Sequence, residues 1–265
     1  MDELTRRVIA TDHAFMALGH ETFAAEGASF VRNPAYPDVY DANHVRAVRA
    51  ATFEDMTRLL ERADREFAHC PQRLVRLDSD TPPVVEAVLV LRGYQRGATI
   101  FLVLEDALVG AAPAHDVRPI VDEAGWTAQA RLQQRGWSEV VAAKNLSGLG
   151  HVGGQMVRID RVKSPPAVWW LAYLSEKPCG FVASFVGPDG IGQVEDLYVE
   201  PEVRRRGLAT ALIHRAVADC RARGAGPVLI CADVDDTPKQ MYAAMGFRPI
   251  AVEQKYLLPR TSQGH

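Results

Sequence analysis

Three short apolar runs separated by tight turns constrain this chain more than any other feature. They cover residues 167–175, 180–186 and 193–199, rich in β-branched and aromatic side chains and too short for core helices. The segments between them, Glu176-Lys177-Pro178 and Gly187-Pro188-Asp189-Gly190, carry turn residues. Strands joined by so few residues pair antiparallel, so the runs predict a three-stranded meander. A helix is predicted from residue 207 to 223, ending at Gly224. Then follow a strand at 227–232, a helix at 237–245 closed by Gly246, and a strand at 250–257. The class this predicts is α/β (α+β): a mixed, mostly antiparallel sheet flanked by helices.

The earlier part of the chain repeats this texture weakly. A helix is predicted over 4–25, an extended piece over 28–32, a Pro-broken loop over 33–38 and a strand over 40–50. Thr52, with Asp55 three residues on, reads as the cap of a helix running through 67. A strand at 73–77, a helix opened by Pro82-Pro83 and a strand at 98–104 follow. Small residues and proline at 110–115 mark the change between halves. Beyond it come a strand at 117–121, helices at 123–134 and 138–144, a Gly-rich turn at Gly148, Gly150, Gly153 and Gly154, and a helix at 155–163. Each half contains helix, strand, a Pro-opened short helix and then Gly with an aromatic, Gly93-Tyr94 and Gly246-Phe247. The expectation is two tandem copies, residues 1–112 and 113–265.

Composition narrows the function. The 265 residues carry a formal charge of −3, so nothing draws the chain to nucleic acid. The four cysteines lack zinc-type spacing, and no apolar stretch is long enough to span a bilayer. A cytoplasmic protein acting on neither nucleic acid nor membrane is expected. Asp233, Asp235 and Asp236 lack the glycine and terminal Glu of a calcium loop, so no metal site is expected. Asp236 or Thr237 instead reads as a helix cap.

The chemistry is carried by the stretch from Val194 to Ala209, a strand running into a loop that opens a helix. The first N–H groups of a helix lack internal partners, and its dipole places partial positive charge there, so an anion is stabilised. Gly207 lets backbone approach a pyrophosphate without a Cβ in the way. Arg204, Arg205 and Arg206 add positive charge. A solvated basic helix start would look similar, but here the loop joins a strand to a long amphipathic helix.

These residues resemble the GNAT superfamily of N-acetyltransferases. Arg204-Arg205-Arg206-Gly207-Leu208-Ala209 is similar to the family's phosphate loop, Gln/Arg-x-x-Gly-x-Gly/Ala. Leu197-Tyr198-Val199-Glu200-Pro201 looks like the strand before it. Met241-Tyr242-Ala243-Ala244-Met245-Gly246-Phe247 resembles the later Leu-Tyr-x-x-x-Gly-Phe segment. The likeness covers about residues 117–258, and the first half matches only as a copy without the loop. The resemblance implies an acetyl-CoA-dependent enzyme that acetylates a primary amine, on a small molecule or a peptide, by direct attack on the thioester. It implies that backbone amides from Arg205 to Thr210 hold the pyrophosphate, and that Leu197, Tyr198 and Val199 flank the pantetheine arm. Tyr242 is the implied general acid for the departing thiolate. Glu195 is the best base, on the strand face that alternation shares with Gln193 and Leu197. Asp196, on the opposite face, is the fallback. One of Trp169 and Trp170 would fill core and the other line the acceptor pocket. A non-catalytic acyl-CoA sensor, or an enzyme for longer acyl donors distinguished by the space around Leu197 and Phe185, are the alternatives.

Overall fold

A computed structural model describes residues 1–144, 146, 148–235 and 238–259. Eleven strands form one sheet in the order β1-β2-β3-β4-β11-β5-β10-β9-β8-β7-β6. The strands are β1 Glu21–Ala25, β2 Ala28–Arg32, β3 His44–Arg46, β4 Gln72–Leu77, β5 Gln95–Leu104, β6 Asp116–Pro119, β7 Val168–Leu174, β8 Lys177–Val186, β9 Gly192–Val199, β10 Val228–Asp233 and β11 Arg248–Pro259. The helices are α1 Glu3–Ala17, α2 Phe53–Glu66, α3 Pro83–Leu91, α4 Glu123–Lys144, α5 Val152–Lys163, α6 Leu208–Ala222 and α7 Pro238–Ala244. The mixed, mostly antiparallel sheet flanked by helices is the predicted class, and β7-β8-β9 form the predicted meander.

The sheet is nearly symmetric about its centre. On one side β3 runs parallel to β4 with α2 as the crossover, and on the other β9 runs parallel to β10 across α6. The strand that follows each crossover pair changes sides. β11 pairs with β4 of the first half, β5 pairs with β10 of the second, and the two pair with each other in the middle. The change of chain texture at 110–115 therefore falls after β5, a strand already embedded against the second half.

Three local expectations are corrected. The first helix stops at Ala17, before Gly19 at φ 75°, and residues 21–25 turn back on β2 as a hairpin. Ala24 and Ala25 gave that strand the look of helix. Residues 40–50 hold only a 3₁₀ turn, Tyr40–Ala42, and the three-residue β3. The helices foreseen at 123–134 and 138–144 are the single α4, since Gly136 does not break it. A Cβ on Gly136 would stand 2.9 Å from Tyr198 Cδ2, so the glycine marks close helix–strand packing.

A charged network crosses the core beneath the exchanged strands. Arg76 of β4 is 2 % exposed and donates from Nε to Glu253 of β11 (2.6 Å) and from Nη2 to Asp12 of α1 (2.8 Å). His13 lies 3.3 Å from Glu253, and Arg46 donates to the His13 carbonyl. Gln193 of β9 donates to Asp12 at 3.3 Å. One arginine thus ties α1, β4 and β11 together and reaches β9 through Asp12.

Candidate active site

Strands β9 and β10 part partway along their length. Their pairing runs from Gly192↔Val228 to Val194↔Ile230 and ends there, while β9 stays bonded to β8 and β10 to β5. A wedge therefore opens between residues 195–199 of β9 and the end of β10. At its throat β9 carries a bulge: the register against β8 slips between Ala183↔Glu195 and Phe181↔Tyr198, with Asp196 at φ 55°. The extra residue changes which face each later side chain meets. Val194, Leu197 and Val199 join the cluster under α6, whereas Tyr198 turns to the α4 side. Glu195 therefore does not share a face with Leu197, and Asp196 does not stand opposite Glu195. Both carboxylates line one cavity.

That cavity has a volume of about 500 Å³, its mouth included. One face of α5 forms a wall through Met156, Ile159, Asp160 and Lys163, at helical spacing. Phe15 and Met16 of α1 and Val39, Asp41 and Ala42 around the 3₁₀ turn close it from the first half of the chain. Burial, then the neighbouring carboxylates of Asp196 and Asp12, push Glu195 up to about 8. Burial likewise raises Asp160, with Asp196 adding to it, and raises Asp196 against the pull of Lys163. Burial, with Lys163 adding, brings His20 down to about 4, so this histidine is neutral near pH 7. The head atoms of Asp12, Glu195 and Cys231 lie within 4.8 Å of one another, but Asp12 is already paired with Arg76.

The loop after β9 is bolted to α4. Glu200, 3 % exposed, accepts from Arg131 (2.7 Å) and Arg135 (3.0 Å). Arg204 donates to the Val199 carbonyl (2.9 Å) and to Glu139 (2.7 Å), which also accepts from the Tyr198 hydroxyl at 2.7 Å. Arg204 and Tyr198 are thus held by their own fold, while Arg205 and Arg206 are exposed with no ion pair among the described residues.

Gly207, at φ 84°, is the N-cap of α6 and offers no side chain to its N–H groups. The first intrahelical bond runs from Ala211 to the Gly207 carbonyl, which leaves the amides of Leu208, Ala209 and Thr210 ahead of it. No acidic residue stands in the first turn. The matching helix of the first half is the opposite case. Thr52 and Asp55 satisfy each other's backbone in a capping box, and Glu54 adds a second negative charge. Where a wedge beside β3 and β4 would open, Arg49 and Asp78 form a two-bonded pair at 2.9 Å. An anion fits the start of α6 and is repelled from the start of α2.

Leu197, Val199, Leu208, Ala209 and Tyr242 meet in one apolar cluster. Tyr242 is buried, its ring 6.3 Å from Phe247. Glu195 lies on the other face, with Asp12 and the cavity. Neither tryptophan lines that cavity: Trp169 packs under α4 and Trp170 under α6, both buried. Phe185 lies against Phe15, at 5.7 Å, and not beside Leu197. Asp233 pairs loosely with Lys144 and Lys255, and Asp236 and Thr237 lie outside the described residues. Asp12, Asp41, Asp160 and Lys163 were missed. Asp12 did leave a signal, a carboxylate on the buried face of α1 beside Val8, Ile9 and Phe15.

Comparison with known proteins agrees with this geometry. Residues 149–247 match the model of the acetyltransferase (GNAT) family. A GCN5-related N-acetyltransferase from Kribbella flavida superposes with a TM-score of 0.71 at 17% identity, covering 99% of this chain and 98% of that one. A functionally unknown conserved protein from Staphylococcus epidermidis gives 0.67 at 14%, covering 92% and 96%. A tandem GNAT protein from the clavulanic acid biosynthesis pathway gives 0.59 at 14%, covering 83% and 76%. No curated protein matches the sequence. The chain has the GNAT fold over its whole length and carries a GNAT acetyltransferase domain in its second half.

Proposed function

We propose that this protein transfers an acetyl group from acetyl-CoA to a primary amine, with residues 113–265 as the catalytic half. The observation that carries this reading is the wedge between β9 and β10, followed in the chain by a helix whose N-cap glycine offers its amides no side chain. The amides of Leu208, Ala209 and Thr210, with Arg205, Arg206 and the backbone at Gly207, would hold the pyrophosphate. The free edge of β9 at Leu197–Val199 would flank the pantetheine arm. Residues 1–112 would serve as a partner copy, with its own helix start filled by Thr52 and Asp55, that closes the acceptor cavity through Phe15 and Asp41.

In this mechanism Glu195 takes a proton from the acceptor's ammonium form. The neutral amine attacks the thioester carbonyl, an N–C bond forms, and the C–S bond breaks as the oxyanion collapses. Tyr242 gives its proton to the departing sulfur, and the second proton shed by the acylated nitrogen restores the phenol. Holding amine and thioester together supplies much of the acceleration. Glu195 is suited to its part, because a base near 8 is ionised to a useful degree close to neutral pH and still holds a proton firmly.

Calorimetric titration with acetyl-CoA tests the donor site. The wild type is expected to bind in the micromolar range, on the order of −8 kcal/mol. Arg205→Glu with Arg206→Glu is expected to weaken it at least about tenfold, more at low salt than at high. Substituting Gly207 would be a poorer probe, since a Cβ there sits 3.3 Å from Pro113 as well as in strained backbone. A wild type that does not bind acetyl-CoA sinks the reading. Tyr242→Phe separates an enzyme from a mere acyl-CoA binder. A fall in kcat of about a hundredfold, with donor affinity kept, is expected for a lost general acid.

A further inference from the structure

We infer that the acceptor is a small amine carrying at least two cationic groups, the reacting one beside Glu195 and a second one at Asp41 and Asp160. The inference rests on the acetyltransferase reading of the same site. Four carboxylates line the cavity, from Asp41, Asp160, Glu195 and Asp196. The groups facing them are Lys163 of α5 and His20, with Asp12 of α1 and Cys231 of β10 behind Glu195. His20 is neutral near pH 7, and burial pushes the Cys231 thiol up, so Lys163 is the cavity's own cation. Its ammonium lies 4.1 Å from the centre of the Phe15 ring and meets no carboxylate in an ion pair among the described residues.

The hydrogen-bond count points the same way. Asp160 accepts one side-chain bond, from Gln129, and Glu195 accepts one, from Gln193, both on a single oxygen. Asp160 is only 5 % exposed, and its Oδ1 has no donor among the described residues. No donor meets the Asp41 or Asp196 carboxylates among those residues either. Most of the acceptor capacity of four carboxylates therefore faces the cavity unused. Each ammonium brings three donors and one positive charge, so a diamine answers both deficits and a neutral or anionic partner answers neither. Because burial and mutual repulsion keep protons on some of these acids, a dication entering the cavity should expel protons.

Three acceptors built on the same four-carbon chain test this: 1,4-diaminobutane, 1-aminobutane and 4-aminobutanoate. The diamine is expected to exceed the monoamine in kcat/KM by at least about thirtyfold, and the aminobutanoate to be poorest. Asp41→Asn and Asp160→Asn should each cut the diamine-to-monoamine ratio by roughly tenfold, with Asp41→Glu restoring it. The Asp41 side chain holds no structural bond, so its replacement tests charge rather than folding. Calorimetry of 1,4-diaminobutane in buffers of different protonation heat should register proton release. Equal kcat/KM for diamine and monoamine, an unchanged ratio in both Asn variants, or a preference for the aminobutanoate would overturn the inference. Acetyl-CoA titration of the same protein tells the failures apart. Donor binding with an indifferent acceptor site removes only this inference, whereas no donor binding removes the reading beneath it.

Discussion

Replacing Arg76 with methionine is expected to lower folding stability by about 3–5 kcal/mol, because it strands two buried carboxylates rather than deleting a pair. Asp12 and Glu253 are each 1 % exposed, and both face this one guanidinium at 2.6–2.8 Å. Arg46 and His13 stand near them, but neither replaces the lost bonds. Urea denaturation at neutral pH measures the loss. The pH dependence gives a second readout. Although burial alone would raise it, Arg76 holds Glu253 down to about 2, against an ordinary 4.5. An acid depressed in this way stabilises the fold above pH 4.5, and that stability drains as pH falls from 4.5 through about 2. Without Arg76 the drain should vanish, since burial would then favour the protonated acid. A variant that loses under about 1 kcal/mol would mean that the carboxylates find other partners.

Glu195→Gln should lower kcat/KM by about a hundredfold to ten-thousandfold, the usual weight of a positioned base. The shape of the profile matters more than the size. Wild-type kcat/KM should climb with pH until Glu195 ionises near 8. The glutamine variant, which can still accept from Gln193, should lack that limb. Rates measured between roughly pH 6 and 10 decide this, and a variant that keeps the limb would clear Glu195 of the role. Stability should move in the opposite sense to activity. Folding raises this acid from 4.5 to about 8, so its ionisation opposes folding and wild-type stability falls as pH climbs through that window. The neutral amide of the Glu195→Gln variant would not suffer that fall. A residue that weakens the fold in the pH range where it works is characteristic of a functional site.

Much of the second half could be read in advance because its signals are local. Turns at Glu176 and Gly187, the Gly207 helix start and the Gly246-Phe247 stop all act within a few residues of themselves. The phosphate-loop candidates lie in one continuous stretch for the same reason. The bulge at Asp196 went unread although the adjacent acids Glu195 and Asp196 break the alternation of the strand there, because no glycine marks the extra residue. Gly136 misled in the other sense, since its partner Tyr198 is far away in sequence. The carboxylate-lined cavity draws its acids from the 3₁₀ turn, α5 and β9, and no window of sequence contains them together. The exchange of β5 and β11 is a question of which strand stands beside which, and side-chain pattern does not record neighbours.

That exchange also sets an order on assembly. A ribosome releases β4 and β5 long before β11, yet β11 is the strand that lies between them. Until it arrives, the emerging first half offers bare backbone along β4, the kind of edge that recruits strands from other chains. Closure of the sheet depends on contacts between residues such as Arg76 and Glu253, 177 positions apart, so the search is long and the final step late. The same arrangement protects the finished molecule. Pulling one half from the other means tearing three central ladders at once, β4 with β11, β11 with β5 and β5 with β10, and the chain should therefore come apart as a single slow event rather than one lobe at a time.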